Sequence, residues 1–166
     1  MSGRVTAGCE LCERVGGELV HRTRDWRVVR VADAAFPAFY RLIWNAHVAE
    51  FSDLDAPARR TCMDAVVAVE RVLRERLRPT KINLASLGNQ VAHLHWHVIA
   101  RFDWDSRFPA PVWVAAQRVV EPPPTQRLAL STTKLDACVA AALQPLEDDD
   151  ARAEPPGPAV GQARLV

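Results

Sequence analysis

The chain has 166 residues, a net charge of +1, 49% apolar residues and 25% charged residues. This length and ordinary composition predict one domain with a sizeable core, and exclude fibrous and wholly disordered classes. The near-zero charge gives no reason to expect a nucleic-acid polymer or an anionic membrane as partner, and no apolar run approaches the roughly 18 residues of a membrane span.

The N-terminus shows no hydrophobic leader region, so a cytoplasmic location is expected. The four cysteines are then expected to be reduced or metal-bound, not paired as disulfides. Two of them open the chain as Cys9-Glu-Leu-Cys12. A single pair of this spacing fits a redox couple, half of a zinc site, or two ordinary thiols. A redox couple should open a helix after a strand, and no strand precedes this one.

Glu18-Leu-Val-His-Arg22 and residues 26–32 predict two strands joined by the turn Thr23-Arg24-Asp25, hence a hairpin. His21 reads as a solvated strand residue. In the second strand Trp26 and Val28 share a face with Arg30, opposite Arg27, Val29 and Val31, which suits a strand covered on both sides. Asp33 follows as a turn former. Phe39-Tyr-Arg-Leu-Ile-Trp44 predicts a third strand. Asp53-Leu-Asp-Ala-Pro57 predicts a helix start, with acidic groups at its positive end. That helix should run to about residue 78, where Pro79 ends it. Cys62, Val66, Val69, Leu73 and Leu77 form its apolar stripe, and its many charges a solvated face. Lys81-Ile-Asn-Leu-Ala-Ser86 predicts a fourth strand.

The most informative stretch comes next. His93-Leu-His95-Trp-His97-Val-Ile99 places three of the chain's five histidines on alternate residues. The intervening bulky and β-branched residues favour a strand. In a strand the three imidazoles share one face, with about 6.6 Å between successive Cα atoms. Leu94, Trp96 and Val98 then face a core. A core gains nothing from three titratable rings, so the trio points to chemistry: metal ligation, or a nucleophile oriented by its neighbours. No Asp or Glu lies between Lys81 and His97. The turn before the strand, Asn83 to Gln90, is rich in neutral hydrogen-bond donors, which suits a phosphate better than a free metal ion.

His-Leu-His-Trp-His-Val-Ile resembles the signature of the histidine triad (HIT) superfamily of nucleotide hydrolases and transferases. Gly88-Asn89-Gln90-Val91 stands where that family carries its phosphate-binding turn, and the resemblance covers about residues 8–113. It implies that His95 attacks a nucleotide α-phosphate to form a nucleotidyl-histidine. His97 and His93 would flank it, and Asn83, Asn89 and Gln90 would donate to the phosphate oxygens. No catalytic cofactor is then required. Some bacterial members bind structural zinc through a Cys pair and two histidines; carried onto this chain, the ligands are Cys9, Cys12, His47 and His93. An acidic residue near Asp33 holds the ribose in the family. Tyr40 stands where some relatives have a fourth active-site histidine. Gln90 departs from the family's usual Ser or Thr, which leaves the leaving-group preference open.

Residues 111–113 resemble a segment that reaches the neighbouring subunit's pocket in family dimers, so a homodimer is expected. The expected partner is a small nucleotide of adenosine type. Beyond Glu121-Pro-Pro-Pro124, a short helix is predicted over 132–143, with Leu135, Val139 and Leu143 on one face. The Pro-, Ala- and acid-rich residues 144–166 predict a disordered tail. The predicted division is a HIT domain over 8–114, an extension over 115–143 and the tail. The fold class is α+β, read as a five-stranded antiparallel half-barrel with one long helix and a short C-terminal one. Two other functions compete. A non-catalytic, zinc-stabilised nucleotide-binding module predicts binding without turnover. A three-histidine metallohydrolase predicts a carboxylate near the trio, which the local sequence does not offer.

Overall fold

The segments of alternating and β-branched residues assemble into one antiparallel sheet of five strands. A computed structural model describes residues 5–152, and side chains as far as residue 146. The strands are β1 (Glu18–Arg22), β2 (Trp26–Arg30), β3 (Phe39–Trp44), β4 (Lys81–Ala85) and β5 (His95–Arg101). Their spatial order is β1-β2-β3-β5-β4, so the histidine strand lies inside the sheet between β3 and β4. The helices are α1 (Glu10–Glu13), α2 (Ala56–Leu77), α3 (Pro124–Arg127) and α4 (Thr132–Arg152). The expected α+β class is the observed one.

α2 starts where its cap residue predicts. The Asp55 side chain accepts a hydrogen bond from the Ala58 amide, satisfying one of the free N–H groups of the first turn. It ends at Arg78, whose φ of 48° is left-handed, ahead of Pro79. The predicted stripe of Cys62, Val66, Val69, Leu73 and Leu77 is buried, and packs with Trp26, Val28, Tyr40, Leu42, Leu94 and Val98 in the main core. α4 lies beside α2 over the same core, through Leu135, Val139 and Leu143. No helix among the described residues is long and apolar enough to cross a membrane.

The other face of the sheet carries the chemistry. Cross-strand partners share a face, and the register pairs Ile43 with His95, Arg41 with His97, and Phe39 with Ile99. These six therefore face away from α2, while Trp96 and Val98 pack toward it. The alternation expected for the histidine strand holds from His95 onward, while His93 lies outside the strand.

Two boundaries differ from the sequence reading. β5 begins at His95, not His93. The His93 amide donates to the Val91 carbonyl, which takes it out of the ladder, while Leu94 stays pinned between Val48 and Trp44. α4 runs to Arg152, past the expected end at 143 and through Pro145. Proline costs a helix roughly 3 kcal/mol, but Leu146 packs against the core one turn beyond Leu143, so tertiary burial carries the helix across it. The expected tail beyond Arg152 lies outside the described residues.

The loop after β5 is held by a buried ion pair. Arg101 is 2% exposed and donates to both Asp105 carboxylate oxygens at 2.8 and 3.1 Å, to Asn83 Oδ1 and to the Ala110 carbonyl. Asp105 also accepts from the amides of Phe102, Arg107 and Phe108. Removing one partner leaves a buried charge uncompensated. Asp105→Ala should therefore cost about 3–5 kcal/mol in urea unfolding. A loss below about 1 kcal/mol, the range of exposed pairs, would show that this pair does not hold the loop.

Candidate active site

Two clusters of side chains meet at His93. In the first, Cys9 caps α1 and Cys12 lies one turn on, so both sulfurs face one side of that short helix. Cys9 Sγ is 3.4 Å from His93 Nδ1, and Cys12 Sγ is 3.4 Å from His47 Nδ1 and 3.5 Å from His93 Nδ1. The four donor atoms all lie within 4.8 Å of one another. Zinc bonds of about 2.0–2.3 Å at tetrahedral angles separate ligand atoms by roughly 3.3–3.8 Å, so the donor set fits that ion. His93 Nε2–H donates to the Trp44 carbonyl at 2.6 Å, which fixes the tautomer with Nδ1 facing the sulfurs. Burial pushes the Cys12 thiol up, the reverse of a redox-active cysteine.

In the second cluster, His95 Nδ1–H donates to the His93 carbonyl at 2.7 Å. That leaves Nε2 as the basic nitrogen, and it makes no hydrogen bond among the described residues. The His95 and His97 rings meet edge-on at 4.8 Å. Both line a cavity of about 520 Å³ with Glu10, Leu11, Arg41, Trp113 and the turn from Leu87 to Val91. Such a volume suits a small-molecule ligand. Gly88 sits in this turn with φ 69°, a left-handed conformation that side-chain-bearing residues rarely take. Burial lowers the pKa of His95, and with the nearby His95 and Arg41 pushes His97 down to about 3. Both rings are therefore neutral near pH 7, the form in which imidazole is a nucleophile.

A profile of the HIT domain matches residues 15–104, more than half of the chain. The chain belongs to the HIT-domain family. A histidine triad protein from Bradyrhizobium japonicum is 26% identical, with a TM-score of 0.62 over 85% of this chain and 97% of that one. One from Marinobacter aquaeolei is also 26% identical, with a TM-score of 0.61 over 89% and 98% of the two chains. A zinc-bound histidine triad family protein from Mycobacterium smegmatis shares the fold at 15% identity, with a TM-score of 0.53 over 86% and 97%. No curated protein matches the chain.

Within this HIT domain the sequence-derived residues divide. His95, His97, Asn89 and Gln90 share the cavity. His93 turns its ring to the cysteines and contributes its carbonyl to His95. Asn83 lies on the same sheet face, paired with Ile99, and its Oδ1 is taken by Arg101. Asp33 lies outside the cavity lining and closes its own turn, accepting from the amides of Ala35 and Phe36. Tyr40 is buried on the opposite face, where its hydroxyl donates to Asp136 of α4. Its neighbour Phe39 faces the triad instead, with its ring 5.4 Å from that of His97. Trp113 stands over His97 of its own chain at 5.5 Å. Arg41, Glu10 and Leu11 were not anticipated as lining residues. Alternation along β3 was the available signal for Arg41, since it must share a face with Phe39 and Ile43.

His97 is 4% exposed, and its Nδ1 is buried without a partner. Its folded-state pKa of about 3 lies below the unfolded value of about 6.5. As pH falls through that window the unfolded chain takes up the proton first, so stability present above pH 6.5 is lost toward pH 3. One such ring contributes at most about 1.4 kcal/mol per pH unit. Urea midpoints should fall between pH 7 and 5, and His97→Gln should flatten that slope. An identical slope in the variant would mean that His97 is not held neutral by the fold.

Proposed function

We propose that the protein is a nucleotide phosphohydrolase or nucleotidyl transferase of the histidine triad type, with His95 as nucleophile. One observation carries this reading: His95 Nδ1–H is tied to the His93 carbonyl, so the lone pair of Nε2 is presented within the cavity. The substrate class is a small nucleotide, of adenosine type, bearing a phosphoramidate or phosphoanhydride bond.

The steps follow from that geometry. His95 Nε2 attacks the α-phosphorus, a nitrogen–phosphorus bond forms, and the bond to the leaving group breaks. A leaving amine takes up a proton from solvent water, whereas a leaving phosphate departs as its anion. Water then attacks the same phosphorus, the nitrogen–phosphorus bond breaks, and the nucleoside monophosphate leaves. The Gly88–Gln90 turn lines the cavity, and its backbone and amide donors would stabilise charge as it develops on the phosphate oxygens. His97, neutral and beside His95, adds a ring nitrogen without placing a second positive charge against the first. A homodimer belongs to the same proposal.

Cys9, Cys12, His47 and His93 would hold a structural zinc ion. The donor set is closed, with four protein ligands and no position for substrate. When bound, the ion supplies a cross-link between α1 and the approach to β5. The zinc-bound relative from Mycobacterium smegmatis supports this assignment. A three-histidine metal centre is disfavoured because the rings diverge: His93 faces the cysteines, while His95 and His97 face each other.

The test of the reaction is hydrolysis of an AMP phosphoramidate and a dinucleoside polyphosphate by wild type and His95→Ala. Wild type should release AMP, and the variant should lose at least roughly a thousandfold in rate, as removal of a nucleophile does. Equal rates would remove His95 from the mechanism, and nucleotide binding without turnover would support the binding module. For the metal, the purified protein should contain about one equivalent of zinc, as a closed four-ligand site requires, and Cys9→Ser should lose it with a fall in melting temperature. A wild type free of zinc after growth in zinc-replete medium would refute the site.

A further inference from the structure

The cavity wall contributed by β3 carries a cation that the proposed steps leave idle. Arg41 pairs with His97 across the sheet and lines the cavity with both imidazoles and the Gly88–Gln90 turn. Its guanidinium carbon stands 5.6 Å from the centre of the Phe39 ring, and that ring also packs on His97. Phe39 thus sets both groups against one another. Arg41 Nε is buried and has no hydrogen-bond partner, and among the described residues the side chain makes no hydrogen bond or ion pair.

Three other arginines of this sheet have acceptors. Arg27 donates to three backbone carbonyls and to Asn45. Arg101 forks onto Asp105, and Arg30 donates from Nε to both oxygens of Asp136. Arg41 alone among these four lies against the cavity without an acceptor. A guanidinium stays charged at any physiological pH, so partial burial without a partner costs free energy that an anion in the cavity would recover. Glu10 lines the same cavity and exerts a field on Arg41 from a distance, but it does not bond to it.

Resting on the proposed reading of the cavity, we propose that Arg41 binds a second anionic group of the substrate, beyond the phosphate that His95 attacks. The attacked phosphorus must come within about 3–3.5 Å of His95 Nε2, in the cavity that the Gly88–Gln90 turn and His97 also line. Arg41 stands one strand away, roughly 5 Å across the sheet. A planar fork at that offset matches two oxygens of a neighbouring phosphate. The preferred substrate is therefore a nucleotide with a phosphate chain, not one whose only anion is the attacked phosphate and whose leaving group is an uncharged amine.

The test is equilibrium binding to the full chain carrying His95→Asn, so that no ligand is consumed. The probes are AMP and ADP, measured by calorimetry with Arg41 intact, as Arg41→Gln and as Arg41→Lys. With Arg41 intact, ADP should bind roughly 10- to 100-fold tighter than AMP, the range of a charge-assisted hydrogen bond. Arg41→Gln should abolish that preference and leave AMP affinity within about threefold, while Arg41→Lys, which keeps the charge, should retain part of it. No preference for ADP with Arg41 intact would overturn the proposal. So would an equal loss for both nucleotides in Arg41→Gln, which would put Arg41 on the attacked phosphate. If Arg41→Gln does not fold, an ADP preference that stays unchanged at raised salt, with Arg41 intact and in Arg41→Lys, would count against an ionic contact. Failure of wild type to hydrolyse any nucleotide would defeat the catalytic reading while leaving this binding result intact.

Discussion

His93 and His95 are two residues apart, and that spacing joins two sites through one peptide carbonyl. The ring of His93 belongs to the Cys9, Cys12 and His47 cluster, and its carbonyl accepts the Nδ1 proton of His95 at 2.7 Å. The tautomer of His95 is therefore set by backbone, not by a carboxylate. A carboxylate there would raise the basicity of the ring and favour its protonated form. A carbonyl fixes orientation without adding a full charge. The Trp44 carbonyl does the same for His93, so both histidines are ordered by the backbone around one end of the β3–β5 ladder.

Burial completes that arrangement. Placing three imidazoles at 0%, 8% and 4% exposure disfavours their charged forms, and the lowered pKa values of all three follow. For most folds this would be a defect. Here the same desolvation keeps His95 unprotonated and keeps a second cation from forming at His97. The penalty is met by the opposite face of the sheet, where α2 and α4 bury an apolar core that includes Trp26, Leu42, Val98 and Leu143. One face stabilises, and the other can then hold groups that do not.

Legibility in the sequence followed the length scale of the signal. The alternation of His95, Trp96, His97 and Val98 is local and has one structural solution, so strand, face and cavity could be read from it. The stripe on α2 and its Asp55 cap are also local. By contrast, α1 is a single turn without periodicity, and only the meeting of its cysteines with His47 and His93 reveals it. The extension of α4 past Pro145 depends on Leu146 finding the core. The choice between Tyr40 and Phe39 as the residue facing the triad turns on a one-residue register. Alternation fixes that register only once β3 is known to pair Arg41 with His97.

The same register explains why Arg41 is informative. A strand reading Phe-Tyr-Arg-Leu-Ile-Trp has one charged residue among five apolar or aromatic ones, and in a sheet covered on both sides it must enter one interior or the other. On the α2 face it would meet Leu42 and Val98, and the acceptor there, Asp136, is already taken by Tyr40 and Arg30. On the triad face it meets a cavity. Desolvation thus decides the direction of the strand as firmly as the aromatic residues do, because a misplaced guanidinium costs more than a misplaced tyrosine. The outcome is a cation beside two neutral imidazoles, in a site whose only nearby carboxylate, among the lining residues, is Glu10. On the proposed reading the imidazoles would supply a nucleophile with little charge of its own, and the lining cation, Arg41, would come from the strand next to them.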